Sequence, residues 1–386
     1  MKWPSPEEVA SLSNLQTVLL HAALPVELQV SIFTTSPGVR KLVLATNVAE
    51  TSLTVPGIKF VIDSGYFKES NFDPGRQMEE LVVTPLYETQ AVQRAGRAGR
   101  TKPGVCYRMY SEKEFLALRC QPVPAICRSD IVTVCLLLKA MGVKNINIFG
   151  FLDPPISSRV DAAMMTLRRL DAVDNTEAVT ALGKTLADLP LSPVLGKILL
   201  VSVELGCSEQ VLSIVAMLSV KPAFMRPDRA NAHRLQATKD KLSDLSSDHL
   251  TLLNVYEAWQ AAGRCATWAT AHLLDQRELL RAQDVRQQLE SLLLARGLQL
   301  LRLAGSYREA VLRAICSGLR TVDRVARCHW SGLHFVRTSD QAQLDVHPSS
   351  VLFKAEAELV IYHEVITTRK NYMRTVSAVR EEWMKE

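Results

Sequence analysis

The 386-residue chain has no G-x-x-x-x-G-K-[ST] string, the loop whose backbone N–H groups cradle nucleotide phosphates. Its nearest approach is Gly183-Lys184-Thr185, where Ala178 stands in place of the leading glycine. A self-sufficient loop of that kind is excluded. No apolar run reaches the roughly 18–20 residues of a membrane span, so no membrane partner is expected. The opening residues, Met1-Lys2-Trp3-Pro4-Ser5-Pro6-Glu7-Glu8, carry no apolar core after the lysine and do not read as a signal peptide. No cysteine pair is spaced C-x-x-C among the eight at 106, 120, 127, 135, 207, 265, 316 and 328. Most lie in apolar runs, as Cys135 does in Val134-Cys135-Leu136, and read as reduced core residues. Cys328-His329 lacks the second ligand pair that a zinc site requires, so no metal site is expected. Internal repeats and low-complexity tracts are also missing. Together these features imply the cytosol or the nucleus. Charge bias is slight: the net charge is +5, which suits a polyanionic partner without demanding one.

What is present is the octet Gln93-Arg94-Ala95-Gly96-Arg97-Ala98-Gly99-Arg100. Its three arginines are three residues apart, a spacing that places side chains on roughly one helix face. Alanine and glycine between them allow another surface to come close. A fixed patch of guanidinium groups suits phosphate, and arginine is the finger residue of phosphoryl transfer. By itself the string also fits a generic nucleic-acid contact or a plain surface helix.

The length suits two to four domains, and 47% hydrophobic content suits sizeable cores. Residues 17–125 read as α/β. Residues 17–21 form a short apolar run, runs at 41–46, 59–63, 80–84 and 105–110 look like strands, and 26–33 looks helical. After Gln121-Pro122-Val123-Pro124 a compact helical segment follows, with helices expected at 132–141, 158–170 and 177–189. From 195 to about 303 the pattern is almost wholly helical, and its apolar stripe is read as a core face. Short strand-like segments at 334–336, 343–346, 351–354 and 358–362 fit a small β-barrel.

The run Ala45-Thr46-Asn47-Val48-Ala49-Glu50-Thr51-Ser52-Leu53-Thr54 resembles motif V of the DEAH-box RNA helicases, and Gln93 to Arg100 resembles their motif VI. The order and the gap also fit. Leu182-Gly183-Lys184 with Leu189-Pro190-Leu191-Ser192-Pro193 is similar to that family's winged-helix segment. The stretches Ser247 to Tyr256 and Ala282 to Leu289 are similar to its helical ratchet domain; Val346 to Leu352 and Tyr362-His363-Glu364 look like its OB-fold. The implied architecture is α/β, then mostly α, then β. It comprises a truncated second RecA-like domain (1–125), a winged helix (126–193), a ratchet domain (194–303) and an OB-fold (304–386).

The resemblance implies roles at matching positions. Arg97 and Arg100 would be arginine fingers toward the γ-phosphate of ATP, with Gln93 placing the phosphate or the attacking water. Phe33 would stack on adenine, with a core phenylalanine as the alternative. Ser52 and Thr54 would lie near the ribose. Thr46, Asn47 and Thr51 would hold phosphates of single-stranded RNA without reading sequence. Residues 65–79 would carry a strand-separating β-hairpin. Pro56 stands where many relatives have an acidic residue. Ser317-Gly318-Leu319-Arg320-Thr321-Val322 lacks the usual aromatic pair after the glycine, a departure that points to a divergent branch such as the DEAQ-box relatives.

No DEAH or DEAQ tetrapeptide accompanies these motifs. The resemblance therefore implies the C-terminal part of an ATP-dependent RNA helicase, with ATP and Mg²⁺ as cofactors of a complete enzyme. Neither is expected to bind tightly to this chain alone. A protein activator is a further expected partner, and the nucleus is the favoured address. The alternatives are a non-catalytic RNA-binding or regulatory isoform and a non-functional splice product. Residues 17–125, with a strand of the parallel sheet expected to be missing, should be the least stable part.

Overall fold

Two apolar runs, at 17–21 and 41–46, meet as parallel strands in the computed structural model. They are β1 (Leu15–Leu20) and β2 (Arg40–Ala45), in register from Leu15↔Arg40 to Leu20↔Ala45. β1 starts two residues before the apolar run. The structure describes residues 14–21, 24, 31–34, 38–51, 54–74, 78–100, 102–225, 231–328, 334–367 and 370–384. Of the helix expected at 26–33, residues 26–30 lie outside the described ones, and Ser31–Phe33 forms a 3₁₀ turn.

After β2 come α1 (Val48–Thr51), β3 (Phe60–Asp63), β4 (Tyr66–Asp73) and β5 (Met78–Pro85). Then follow α2 (Glu88–Gly96), β6 (Val105–Arg108) and α3 (Glu112–Leu116). β4 and the first two residues of β5 fall within 65–79, the segment expected to carry a hairpin; the rest of β5 lies beyond it. β3 pairs with β6 in parallel, from Phe60↔Val105 to Asp63↔Arg108. β1–β2 and β3–β6 are thus two separate two-stranded sheets among the described residues. Parallel strands are normally covered on both faces. Here Leu19, Leu44, Phe60 and Ile62 are all more than half exposed.

The chain divides into two compact units, the first of residues 1–70 and 81–124, the second of 71–80 and 125–386. In the second unit the helices are α4 (Val132–Ala140), α5 (Ser157–Arg169), α6 (Ala181–Ala187), α7 (Pro193–Glu204) and α8 (Ser208–Leu218). They continue as α9 (Ala232–Leu242), α10 (Asp248–Ala261), α11 (Ala266–Ala271), α12 (Gln276–Ala295) and α13 (Tyr307–Thr321). Several starts are visible in the sequence. Ser192 caps α7 by accepting from the Leu195 N–H at 3.4 Å, and Pro193 at the first position needs no partner for an N–H. Asp275 caps α12 through the Arg277 and Glu278 N–H groups. The core of this unit joins α4, α5, α7, α8 and α13, with Leu167, Leu199, Leu212 and Leu319 fully buried.

Gly183, part of the rejected phosphate-loop match, sits inside α6. A Cβ there would lie 1.9 Å from the Ala172 carbonyl oxygen, so close backbone packing is what requires this glycine.

The C-terminal strands are β7 (Val325–Cys328), β8 (Phe335–Arg337), β9 (Gln343–Val346), β10 (Leu359–Thr367) and β11 (Asn371–Ala378). Their order, β11-β9-β8-β7-β10, closes through the β10–β11 pairing into a five-stranded barrel. β5 adds to it: Glu79 and Glu80, in the second unit, pair with Ile366 and Thr367. Residues 351–354, expected as a strand, form turns instead. The Val351 N–H donates to Asp248 Oδ1 at 2.9 Å, outside any ladder, and Lys354 has φ +64°. Cys135, Cys207 and Cys316 are buried as expected, but Cys120 and Cys265 are exposed, because each lies outside the packed helix faces.

Candidate nucleotide and RNA site

The arginine octet does not continue as one α-helix. α2 ends at Gly96, and Arg97 is its C-cap. Beyond it the chain tightens. Arg97 N–H bonds the Arg94 carbonyl at 3.1 Å, Ala98 that of Ala95 at 3.1 Å, and Gly99 that of Gly96 at 3.3 Å. These are i→i−3 bonds, the 3₁₀ pattern in which residues three apart eclipse. A spacing of three is therefore better matched to this turn than to the α-helix that the sequence suggested.

The near end of α2 is fixed independently. The Tyr87 N–H donates to Gln90 Oε1 at 3.1 Å, and the Glu88 and Thr89 N–H groups reach the carbonyls of Arg119 and Cys120. These bonds satisfy donors that a helix start leaves open.

Arg94, for which no separate role was legible in the residues alone, anchors the turn from beneath. Its Nε donates to Glu50 Oε2 at 3.1 Å, and its Nη1 to Asp63 Oδ1 at 2.8 Å and the Tyr66 carbonyl at 3.2 Å. Glu50 is the motif V glutamate, in α1; Asp63 ends β3. Both are buried. Asp63 also accepts from the Gly65 N–H at 3.1 Å and the Tyr110 hydroxyl at 2.9 Å. Burial, then the bond to Asp63, pushes the Tyr110 phenol up to about 12. Gly65 has φ +81°, and a Cβ there would fall 2.7 Å from the Tyr110 ring. The signal for this network was present in the sequence: two acids inside apolar runs need a cation between them.

Gly104 holds the far side. A Cβ on it would come within 2.2 Å of the Ala98 carbonyl and 2.5 Å of the Lys59 carbonyl, so only glycine lets the turn lie against the β3–β6 pair. A Cβ on Gly96 would meet nothing within 4 Å, and one on Gly99 only touches Gly96. Packing inside the protein does not require those two glycines.

The structure brings several expected residues together. Arg100 Nη1 donates to the Thr54 hydroxyl. Arg97 is half-buried; burial chiefly, then the like charge of Arg100, lowers its pKa, while Glu50 opposes the shift. Two guanidinium groups close enough to repel favour an anion beside them. Gln93 is exposed on α2. Thr46 and Asn47 are exposed between β2 and α1, where their carbonyls accept from Ala49 and Glu50. Thr51 closes α1, and Ser52 lies outside the described residues. Phe33 is 38% exposed on its 3₁₀ turn, which does not fit the alternative of a core phenylalanine. The described residues contain no cluster of three metal-ligating side chains and no helix long and apolar enough to cross a membrane.

Comparison with known families gives four matches in order along the chain. The family model for the helicase conserved C-terminal domain matches residues 6–102. The winged-helix and ratchet-like parts of the helicase associated domain match 163–191 and 192–252. The oligonucleotide/oligosaccharide-binding (OB)-fold matches 311–386. The pre-mRNA-splicing factor ATP-dependent RNA helicase prp22 of Schizosaccharomyces pombe is 44% identical over 97% of this chain and 32% of its own length. The probable ATP-dependent RNA helicase DHX35 of Homo sapiens is 39% identical over 97% of this chain and 53% of its own length. The chain thus spans about a third to a half of these relatives. Its RecA-like, winged-helix, ratchet and OB-fold parts, in that order, belong to the C-terminal part of the DEAH-box RNA helicases.

Proposed function

We propose that the chain supplies the arginine-bearing half of an ATP site and the RNA-gripping surfaces of an ATP-dependent RNA helicase. One observation carries the reading: Arg97 and Arg100 lie on one tight turn, and Arg94 ties the end of the helix before it to Glu50 and Asp63. A preorganised cationic pair of this kind stabilises charge that develops on a transferring phosphoryl group. ATP and Mg²⁺ fit unequally. The arginine turn suits the triphosphate, and its cations do not suit a metal ion, so Mg²⁺ would be held by groups of the opposing half. Bound ATP supplies the phosphoryl group to be transferred to water.

In this reading Arg97 and Arg100 contact the γ-phosphate, Gln93 orients the phosphate or the water, and Thr54 orients Arg100. Phe33 stacks on adenine and Ser52 lies near the ribose. Thr46, Asn47 and Thr51 grip backbone phosphates of single-stranded RNA. The 386-residue sequence contains no phosphate cradle, so the chain alone is inactive as an ATPase. The splicing relative supports a nuclear address, and a protein activator is a further proposed partner.

The closed barrel and the large core of the second unit favour a second reading, a non-catalytic RNA-binding module. Purified chain separates the two from a contaminating or cryptic activity. It should bind single-stranded RNA at low salt, weaken steeply as salt rises, and turn over no ATP. ATP turnover that copurifies with the chain would contradict the half-site; absence of RNA binding would contradict the second reading.

A further inference from the structure

Residues 71–80 belong to the second unit, although β4 begins and β5 ends in the first. Neither strand pairs with β1, β2, β3 or β6 among the described residues. A two-stranded ribbon by itself is marginal in water, so its order depends on what holds it. The α4–α5 segment holds the β4 arm. The Phe72 N–H donates to the Arg128 carbonyl at 2.7 Å. Asn71 Oδ1 accepts from Arg159 Nη2 at 3.0 Å, and Arg159 Nη1 donates to the Ser129 carbonyl at 3.3 Å. Arg159, on α5, is 7% exposed, so a buried guanidinium joins β4 to the chain that leads into α4.

The barrel holds the β5 arm. Glu79 and Glu80 extend its sheet beside Ile366 and Thr367 of β10. Met78 is 3% exposed and shares the barrel core with Phe335, Leu344 and Tyr362. Arg337 Nη2 donates to its sulfur at 3.7 Å. A strand that buries its first side chain and joins a ladder is committed inside the protein, whereas a wedge must leave its arms free to meet a duplex. The two anchors, on α5 and on β10, lie far apart in the chain.

We propose that residues 71–80 are a clasp that ties the α4–α5 segment to the barrel, in place of the strand-separating wedge that the resemblance implies. Each anchor keeps the hairpin close to the other, so each strengthens the other through effective concentration. The chain enters the clasp from the first unit after residue 70 and returns to that unit at residue 81. A pull carried along those two strands reaches the α4–α5 segment and the barrel together. The clasp lies within the second unit and does not depend on the arginine turn or on the helicase reading.

Hydrogen exchange of the 386-residue chain, read by mass spectrometry, tests the proposal. Gly104→Ala, which crowds the β3–β6 pair, should speed exchange in β3 and β6 and leave 71–74 and 78–80 protected. Met78→Ala loosens the barrel anchor and should speed exchange at the other anchor, 71–74, by at least roughly tenfold. Asn71→Ala should do the same at 78–80. In both variants α7 and α8 should keep their protection. Circular dichroism reports whether each variant folds; if Met78→Ala does not, Asn71→Ala, at an exposed position, decides. Loss of protection at 71–80 together with β3 and β6 in Gly104→Ala would overturn the clasp. So would anchors that open independently of each other, or a loss that extends equally to α7 and α8.

Discussion

Arg94 Nη1 lies 2.8 Å from Asp63 Oδ1, and Asp63 is 1% exposed. The first arginine of the octet is therefore spent on two buried acids, Asp63 and Glu50. Removing Arg94 would strand both carboxylates. Arg94→Gln should lower stability by about 3–5 kcal/mol, the usual cost of breaking a buried pair from one side. Arg94→Lys should fail as well, since an ammonium cannot span both acids as the planar fork does. Hydrogen exchange should place this loss in the first unit, whose β1, β2, β3 and β6 amides should open before those of α7 and α8. Uniform loss of protection across both units would contradict the anchor.

Two glycines are held by backbone contact. Gly183→Ala puts a methyl group 1.9 Å from the Ala172 carbonyl, and Gly104→Ala puts one 2.2 Å from that of Ala98. Each should cost about 1–3 kcal/mol or more by overpacking. In thermal melts the Gly183 variant should destabilise the second unit, and the Gly104 variant the first. Gly96→Ala, with open space around it, should be close to neutral for stability. A large loss of stability there would show that the turn is packed differently.

Burial lowers the pKa of His249 to about 3; burial chiefly, with nearby cations, does the same for His363. Both are neutral in the folded chain and take up a proton when it unfolds below their ordinary pKa. Their contribution to stability is thus full above about pH 6.5 and is lost as pH falls toward 3. Between pH 6 and pH 5 the unfolding free energy should drop by up to about 1.4 kcal/mol per pH unit for each histidine. Urea melts at these pH values check it: His249→Gln should remove about half of the slope, and an unchanged slope would contradict the assignment.

Much of this was legible in the residues. Motifs V and VI, the helical middle and the closing barrel follow from local patterns that tertiary packing preserved. Of the Arg94 network only the need of two acids for a cation was legible; its partners were not, because Glu50, Asp63 and Tyr110 come together only when β3, β6 and α2 assemble. The 3₁₀ turn was hidden because a spacing of three fits both helix types. Residues 351–354 have strand-like side chains, yet the carboxylate of Asp248, over a hundred residues away, takes the Val351 N–H and the Val376 N–H and turns the chain.

The central claim is that Arg97 and Arg100 complete an ATP site. RNA-stimulated ATP hydrolysis by a protein that joins this chain to a complementary nucleotide-binding half tests it most directly. Arg97→Ala and Arg100→Ala should each lower kcat by about a thousandfold, as removal of an arginine finger does, while RNA affinity changes little. Undiminished turnover in both variants would contradict the account.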